Sequence, residues 1–200
     1  MSHYFDPDPA VASERRQVPL VLPDVALELT TDRGVFARPG VDPGTKLLLL
    51  EAPAPPAQGD LLDLGCGYGP IAVTLARRAP AATVWAIDSN HRALELTRLN
   101  AEAAGAANVR AVSPEAVLGD VRFAAIWSNP PVRIGKEALQ ALLARWLGRL
   151  APGGRAWLVV HKHLGADSLA RWLGAQGWPT TRLCSRMGYR VLEVQGPPPP

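Results

Sequence analysis

An asparagine and two prolines follow an apolar run in the segment SNPPVRIGK, residues 128–136. Two successive prolines can neither donate to a sheet nor continue a helix, so the chain needs a stiff bend here. The side-chain oxygen of Asn129 and the carbonyl oxygen of Pro130 are acceptors that such a bend, stiffened by Pro131, can hold in place. Two fixed acceptors can bind both hydrogens of an exocyclic amino group and direct its lone pair at a carbon electrophile. The alternative is a rigid strand exit without any chemistry.

A glycine-rich turn lies upstream, in the segment DLLDLGCGYGP, residues 60–70. Gly65, Gly67 and Gly69 follow a predicted strand and precede a predicted helix, where glycines let a ligand approach the main chain. Their spacing differs from the Gly-x-Gly-x-x-Gly pattern that binds dinucleotides. Asp63 would repel a pyrophosphate, and it would suit a ligand that carries an ammonium and a sulfonium group. A tight strand-to-helix turn that binds no ligand is the alternative.

Asp88 ends the next predicted strand, in the segment AIDSN, residues 86–90. A carboxylate at that place can accept hydrogen bonds from both hydroxyls of a ribose. The three residues DSN are also good N-caps, so Asp88 could instead cap the helix that follows. We favour the ribose role because of the place of Asp88 relative to the glycine turn.

The order of the predicted elements places these residues at one edge of a sheet. The predicted strands cover residues 60–64, 82–88, 108–112, 121–129 and 154–160, and the predicted helices cover residues 69–79, 90–105, 135–150 and 166–177. Strands that alternate with helices predict a parallel sheet with both faces covered, and such sheets bind ligands beyond the carboxyl ends of their strands. The runs TTRLCSR and YRVLEVQ then predict an antiparallel hairpin at one edge. The expected fold class is α/β, with a doubly wound, seven-stranded, mostly parallel sheet.

The composition is that of a globular protein, with 48% hydrophobic and 20% charged residues among 200. The formal net charge of +3 mildly favours an anionic partner, although scattered basic residues fit a solvated surface equally well. Two cysteines, Cys66 and Cys184, provide neither a disulfide framework nor a metal-ligand spacing, and Cys66 is interpreted as a small filler of the glycine turn. No signal segment or membrane-spanning run is visible, so we expect a cytoplasmic protein without a metal or a membrane partner.

Three motifs together resemble the signature of class I S-adenosylmethionine-dependent methyltransferases of the amino-methylating Asn-Pro-Pro branch: DLGCGYGPIAV, AIDSN and SNPPVRIGK. The chain resembles more closely the catalytic domain of bacterial small-subunit ribosomal RNA guanine-N2 methyltransferases, in particular their small single-domain relatives. That resemblance covers roughly residues 3–195, through HYF, GVFARPGVDPGTKLLL, KHLGADSL and GYRVLEV. It implies a Rossmann-like methyltransferase fold, S-adenosylmethionine as the cofactor, guanine N2 in ribosomal RNA as the acceptor, and ribosomal RNA or the ribosomal subunit as the partner.

The resemblance also implies roles for individual residues. The cofactor would be bound by Asp63, Gly65, Cys66, Gly67, Gly69, Asp88, Ser89, Glu115 and Asn129. The acceptor amine would be oriented by Asn129, Pro130 and Pro131. The substrate would be contacted by Phe36, Val132, Arg133, Lys136 and Lys162, and Asp42 and Thr45 would close over the site with Phe36.

Two positions depart from the family's pattern. Many enzymes of this branch have an aromatic residue after the two prolines, which can stack on the target base, whereas this chain has Val132. The segment VSPEAV, residues 112–117, lacks the usual Gly-Asp or Ser-Asp and offers Glu115 in its place. The ribosomal RNA enzymes also carry a second, degenerate domain for which this chain is too short, so RNA docking would use other surfaces or a homodimer.

The expected organisation has three parts. Residues 1–58 would form an N-terminal arm with a small hairpin and helix that pack on the core, residues 59–195 the S-adenosylmethionine-binding methyltransferase domain, and residues 196–200 a disordered tail. Within the first part, we predict an irregular arm over the first 23 residues, a hairpin in residues 26–38 and a short helix in residues 44–52.

Alternatives remain open for the acceptor and for the basic residues. The acceptor could be a protein glutamine or a small-molecule amine, and the chain could also be a non-catalytic, cofactor-binding module associated with RNA. Arg133, Lys136 and Lys162 could contact phosphates or could be solvated charges. We assign no catalytic base to His161 or His163, because a neutral amine can lose its proton to water after the transfer.

Overall fold

A computed structural model describes residues 8, 10–37 and 39–198 of the chain. Its strands are β1 (Arg16–Val21), β2 (Ala26–Thr31), β3 (Asp60–Leu64), β4 (Thr83–Ile87), β5 (Val109–Val112), β6 (Phe123–Ser128), β7 (Leu150–His161), β8 (Thr180–Arg186) and β9 (Tyr189–Gln195). Its helices are α1 (Pro43–Glu51), α2 (Pro70–Arg78), α3 (His91–Ala103), α4 (Lys136–Leu147) and α5 (Ala166–Ala175). Short 3₁₀ turns cover Pro114–Ala116, Val132–Ile134 and Lys162–Leu164. The HYF motif at residues 3–5 lies outside the described residues.

Seven of the strands form one sheet, in the order β5-β4-β3-β6-β7-β9-β8. The strands from β5 to β7 are parallel, and β9 and β8 add an antiparallel hairpin at the edge, which confirms the predicted fold class. The strand order reverses between β3 and β6, whose last residues, Leu64 and Ser128, are register partners. The glycine turn and the Asn-Pro-Pro segment therefore leave neighbouring strands side by side, where open α/β sheets bind their ligands.

Helices cover both faces of the sheet because successive side chains of a strand point to opposite faces. Leu61 of β3 belongs to a buried cluster that includes residues of α1, α2 and α3. Its neighbour Leu62 belongs to a second cluster, which includes residues of α4 and α5. Both leucines are fully buried, and each contributes roughly 1.5–3 kcal/mol to folding by leaving water. The sheet is therefore a firmly packed support for the residues at its carboxyl edge.

The N-terminal hairpin differs from the prediction. It pairs β1 with β2, whereas the prediction placed a hairpin in residues 26–38 and left the first 23 residues irregular. Val18 and Leu20 are buried between exposed neighbours, which is the alternation of a half-buried strand. Pro19 between them argues against a strand, but β1 lies in a sheet of two strands, where an edge tolerates proline.

Strand β7 begins earlier than predicted, at Leu150 rather than at residue 154. A Cβ added at Gly154 would lie 2.9–3.0 Å from the backbone oxygens of Ala151, Ala124 and Phe123. Only a glycine therefore allows the main chains to approach this closely. The APGG sequence, which favours the end of a helix, is here part of a strand.

Asn100 of α3 connects the hairpin to the glycine turn. Its side chain accepts the N–H of Thr30 at 2.7 Å and donates to the carbonyl oxygens of Thr30 at 2.9 Å and Tyr68 at 2.8 Å. The side chain of Asn90 donates to the carbonyl oxygen of Gly34 at 2.9 Å. These bonds hold the segment that follows β2 against the carboxyl edge of the sheet.

The described residues contain neither a membrane-spanning helix nor a metal-binding cluster. None of the helices in this part of the chain is long and apolar enough to cross a membrane. No group of three His, Cys, Asp or Glu side chains within it could hold a metal ion.

At the C-terminal end of the chain, backbone bonds join Gly196 to Gly154 and Gly153 to Pro197, and residues 199–200 of the predicted tail lie outside the described residues. The three-part organisation stays a prediction.

Candidate active site

A cavity of about 500 Å³ lies beyond the carboxyl ends of β3, β4, β6 and β7. Cavities that bind small molecules and cofactors have volumes of this order. Eleven of the predicted site residues line it: Phe36, Asp42, Gly65, Gly67, Asp88, Ser89, Asn129, Pro130, Pro131, Val132 and Arg133. A smaller adjoining recess is lined by Cys66, Asp42 and Thr45.

Five predicted site residues do not line these spaces: Lys136, Lys162, Glu115, Gly69 and Asp63. The first three are exposed, and Pro114 lines the cavity next to Glu115. Gly69 precedes α2, and a Cβ added there would lie 2.9 Å from Cγ2 of Thr97. This glycine therefore serves the close packing of α2 against α3.

The glycine turn leaves its main chain open to the cavity. Gly65 and Gly67 have φ values of +76° and +57°, which lie in the left-handed region that favours glycine. A Cβ added at Gly67 would meet nothing within 4 Å, and one added at Gly65 would meet Cδ of Pro131 at 3.9 Å. A ligand in the cavity can therefore contact the backbone directly, and the Asn-Pro-Pro turn lies against the same spot.

Asp63 is a fully buried carboxyl group in β3. Its Oδ2 accepts the N–H of Ala72 at 2.9 Å, and its Oδ1 has no hydrogen-bond partner among the described residues. Burial, together with the nearby charge of Asp88, raises the pKa of Asp63 to about 8. An unpartnered carboxyl oxygen next to the glycine turn fits a positively charged ligand better than a pyrophosphate, because a cation favours the ionised form.

Asp88 faces the cavity after β4. Its carboxylate accepts the N–H of Gly67 at 2.9 Å and the N–H of Asn90 at 3.0 Å, and burial raises its pKa. The N-cap of α3 is Asn90, whose Oδ1 accepts the N–H of Ala93 at 3.1 Å. Because Asn90 caps the helix, the carboxylate of Asp88 remains available to hydroxyl groups of a ligand.

Asn129 is half-buried where β6 ends. Its Nδ2 donates to Oδ1 of Asp42 at 2.8 Å and to Oγ1 of Thr45 at 3.0 Å. Both partners lie at the start of α1, 87 and 84 residues away in the chain. Because the amide nitrogen donates to these two residues, the side-chain oxygen of Asn129 is the atom that can accept a hydrogen bond from a ligand.

The residues after Asn129 form a tight turn. The N–H of Val132 donates to the carbonyl oxygen of Pro130 at 2.8 Å, and Pro131 has φ −74° and ψ 69°. These are the angles of an inverse γ-turn. A carbonyl oxygen has two lone pairs, so that of Pro130 can accept a second hydrogen bond. The turn thus provides two acceptors in consecutive residues, Asn129 and Pro130.

Two further residues of the cavity are Tyr189, which was not predicted as a site residue, and His161, to which we assigned no catalytic role. Both line the cavity, they are register partners in β9 and β7, and the edge of one ring meets the face of the other with centroids 5.0 Å apart. The hydroxyl of Tyr189 lies 3.5 Å from Oδ2 of Asp42. Val132 is aliphatic and cannot provide an aromatic ring for a base to stack on. The rings of Tyr189, His161 and Phe36 provide aromatic surface in the same cavity. In the sequence, the position of His161 directly after a predicted strand was the one indication that this pair lies at the site.

Comparisons with known proteins identify the family. The family model called methyltransferase small domain matches residues 26–193. The chain belongs to this family. The uncharacterized protein YbxB of Bacillus subtilis is 33% identical over 196 residues, which cover 96% of this chain and 98% of that protein. Ribosomal RNA small subunit methyltransferase C of Pseudomonas aeruginosa is 35% identical over 196 residues, which cover 95% of this chain and 57% of that enzyme.

A solved structure extends the comparison. The T. thermophilus 16S rRNA N2 methyltransferase (RsmC), in complex with AdoMet and guanosine, matches with a TM-score of 0.77 and 27% identity. The match covers 94% of this chain and 52% of that chain. This methyltransferase small domain therefore spans a little over half the length of these two named enzymes. The predicted Rossmann-like fold, the S-adenosylmethionine cofactor and the class I methyltransferase activity are confirmed.

Proposed function

We propose that this methyltransferase acts on an exocyclic amino group, and that its acceptor is guanine N2 in small-subunit ribosomal RNA. The amide of Asn129 carries the proposal, because its nitrogen donates to α1 and its oxygen is left, beside the carbonyl of Pro130, to accept from an amine. Ribosomal RNA as the acceptor is supported by the name of the Pseudomonas relative. Guanine is supported by the guanosine bound to the matching solved structure.

S-adenosylmethionine would bind along the glycine turn. The open main chain at Gly65 and Gly67 admits a ligand without a side-chain clash. Asp63 does not line the cavity, so its buried carboxyl group would favour the positive charge of the cofactor from behind the glycine turn, whereas the carboxylate of Asp88 lines the cavity and suits the ribose hydroxyls. Pro114 lines the cavity after β5 and would contact the adenine ring, a role that the exposed Glu115 does not fit.

The chain's own residues would act by orientation. When bound, S-adenosylmethionine supplies a methyl group on a positively charged sulfur. The oxygens of Asn129 and Pro130 would each accept one N–H of the acceptor amine, which directs the nitrogen lone pair toward the neighbouring glycine turn. Positioning of this kind lowers a barrier by up to roughly 7–11 kcal/mol in well-oriented reactions. The extra proton of the methylated nitrogen can leave to water, so the arrangement needs no general base.

Basic side chains lie on the segments that follow the carboxyl ends of β6 and β7. Arg133 lines the cavity and is exposed, and Lys136 and Lys162 are exposed on the elements that follow β6 and β7. Side chains of this kind bind phosphates and position a nucleic acid without reading its sequence. They would hold the RNA backbone while the target base, which must first leave its stack, enters the cavity.

Mass spectrometry of nucleosides from ribosomal RNA tests this function. Cells that lack the gene are expected to lose one N2-methylguanosine from the small-subunit RNA, and the wild-type gene should restore it. The Asn129→Ala variant should not restore it. The matched control Gln58→Ala should, because Gln58 is exposed in the linker before β3. If both strains carry the same methylated nucleosides, and the purified protein instead methylates protein or metabolite fractions with tritiated cofactor, the assigned acceptor is wrong.

A further inference from the structure

Asp42 contacts the amide of Asn129 from outside the two turns that form the site. Its Oδ1 lies 2.8 Å from Nδ2 of Asn129, and Asp42 also lines the cavity. We propose that Asp42 is a positioning residue, which determines that the oxygen of the Asn129 amide, and not its nitrogen, faces the acceptor. This inference rests on the proposed function, in which that oxygen accepts a hydrogen bond from the acceptor amine.

The two partners of the Asn129 amide differ in which hydrogen bonds they can donate or accept. A primary amide can occupy two orientations that exchange its oxygen with its NH₂ group. Thr45 does not select between them, because a hydroxyl group both donates and accepts. The carboxylate of Asp42 only accepts, so it bonds the amide in one orientation and repels the oxygen in the other. A flipped amide would also present hydrogens to an amine that itself needs acceptors.

Asp42 is held in place by the start of α1 and by Tyr189. Its Oδ1 also accepts the N–H of Thr45 at 3.0 Å, which makes Asp42 the N-cap of the helix. The hydroxyl of Tyr189 lies 3.5 Å from Oδ2. A Cβ added at Gly44 would lie 2.6 Å from Cε1 of Tyr189, so this glycine lets the tyrosine pack against the cap. A positioning group needs a rigid support, and the start of α1 gives the carboxylate of Asp42 such a support.

Two substitutions separate the orienting role of Asp42 from its capping role. Serine is as good an N-cap as aspartate, but its side chain is one bond shorter and would not reach both Thr45 and Asn129. Asparagine keeps an acceptor oxygen of the same reach, and the backbone N–H of Thr45, which only donates, would hold that oxygen and not the new NH₂ group toward Asn129. Asp42→Ser is therefore expected to lower kcat on unmodified small-subunit ribosomal RNA about tenfold or more. It should leave the melting temperature and the Kd of S-adenosylmethionine near their wild-type values.

Asp42→Asn is expected to recover most of the kcat that Asp42→Ser loses. Wild-type kcat in Asp42→Ser, or equal losses in both variants, would overturn the inference. A second readout needs no acceptor, since it follows solvent exchange of the Asn129 side-chain NH₂ protons by NMR. These protons should exchange slowly in the wild type and in Asp42→Asn, and faster in Asp42→Ser. Equal exchange in all three proteins would also overturn it.

A double-mutant cycle separates this inference from the proposed function. In an Asn129→Ala background, Asp42→Ser should cause no further loss of kcat, because no amide remains to be oriented. Equal losses in the two backgrounds would show that Asp42 acts independently of Asn129. If Asn129→Ala alone keeps the wild-type kcat, the proposed function fails. If Asn129→Ala loses activity while Asp42→Ser does not, the proposed function stands and the role of Asp42 is rejected.

Discussion

Replacing Asp63 with asparagine should remove a pH dependence from the folding stability of the cofactor-free protein. Burial raises the pKa of Asp63 to about 8 in the folded state, whereas an aspartate in an unfolded chain ionises at about pH 4. Between these pH values the folded protein holds a proton that the unfolded chain has lost. The free energy of unfolding therefore falls as the pH rises and levels off above about pH 8. The free energy of unfolding falls by up to about 1.4 kcal/mol per pH unit. Because the fall flattens near pH 8, the total loss between pH 6 and pH 8 is roughly 2 kcal/mol.

Urea denaturation at these two pH values measures the effect. The wild type is expected to lose roughly 2 kcal/mol more than Asp63→Asn, because the amide is neutral at both pH values. The comparison isolates Asp63, since Asp88, whose pKa burial also raises, is present in both proteins. The same pH dependence in both proteins would refute the reasoning that the buried carboxyl group is neutral before the cofactor binds.

Four further changes test single residues. Asp88→Ala should raise the Kd of S-adenosylmethionine about tenfold or more in calorimetry, while α3 persists in circular dichroism because Asn90 caps it; an unchanged Kd would reject the ribose role. Gly67→Val should destabilise the fold by roughly 1–3 kcal/mol in thermal denaturation, since its φ of +57° strains a branched residue, and should weaken cofactor binding. Leu143→Ala should cost about 2–5 kcal/mol in urea, because Leu143 is fully buried, with the Kd unchanged. Arg133→Ala should raise the KM for ribosomal RNA and not the cofactor Kd; an unchanged KM would make Arg133 a solvated charge.

The position of the site could be predicted because its signals are local. The glycine turn and the Asn-Pro-Pro segment each follow an apolar run directly, so residue types and spacing are enough to find them. The general rule for parallel sheets then places both at the carboxyl edge. The pairing of Leu64 with Ser128 confirms that they leave neighbouring strands. The capping residue of α3 was harder to assign, because three consecutive residues could serve, and the structure assigns it to Asn90.

The contacts that orient the site could not be predicted, because they join distant parts of the chain. Asp42 and Asn129 are 87 residues apart, and Asp42 by its type is an ordinary N-cap. Tyr189 begins β9, the inner strand of the C-terminal hairpin, and only the register of β9 on β7 brings it to His161. The first strand was missed for a different reason, since Pro19 interrupts a pattern that burial otherwise supports. For both contacts, the residue types allow the interaction but do not indicate which distant residue is the partner.

In the proposed function, the oxygen of the Asn129 side chain orients the acceptor amine. The single-turnover rate of methyl transfer to unmodified small-subunit ribosomal RNA tests it most directly, measured with Asn129→Ala at saturating S-adenosylmethionine. We expect a rate roughly 100-fold or more below the wild type, of the order seen when one preorganised polar contact is removed from an active site, with the Kd of the cofactor unchanged. A wild-type rate in this variant would show that the Asn129 side chain does not orient the acceptor.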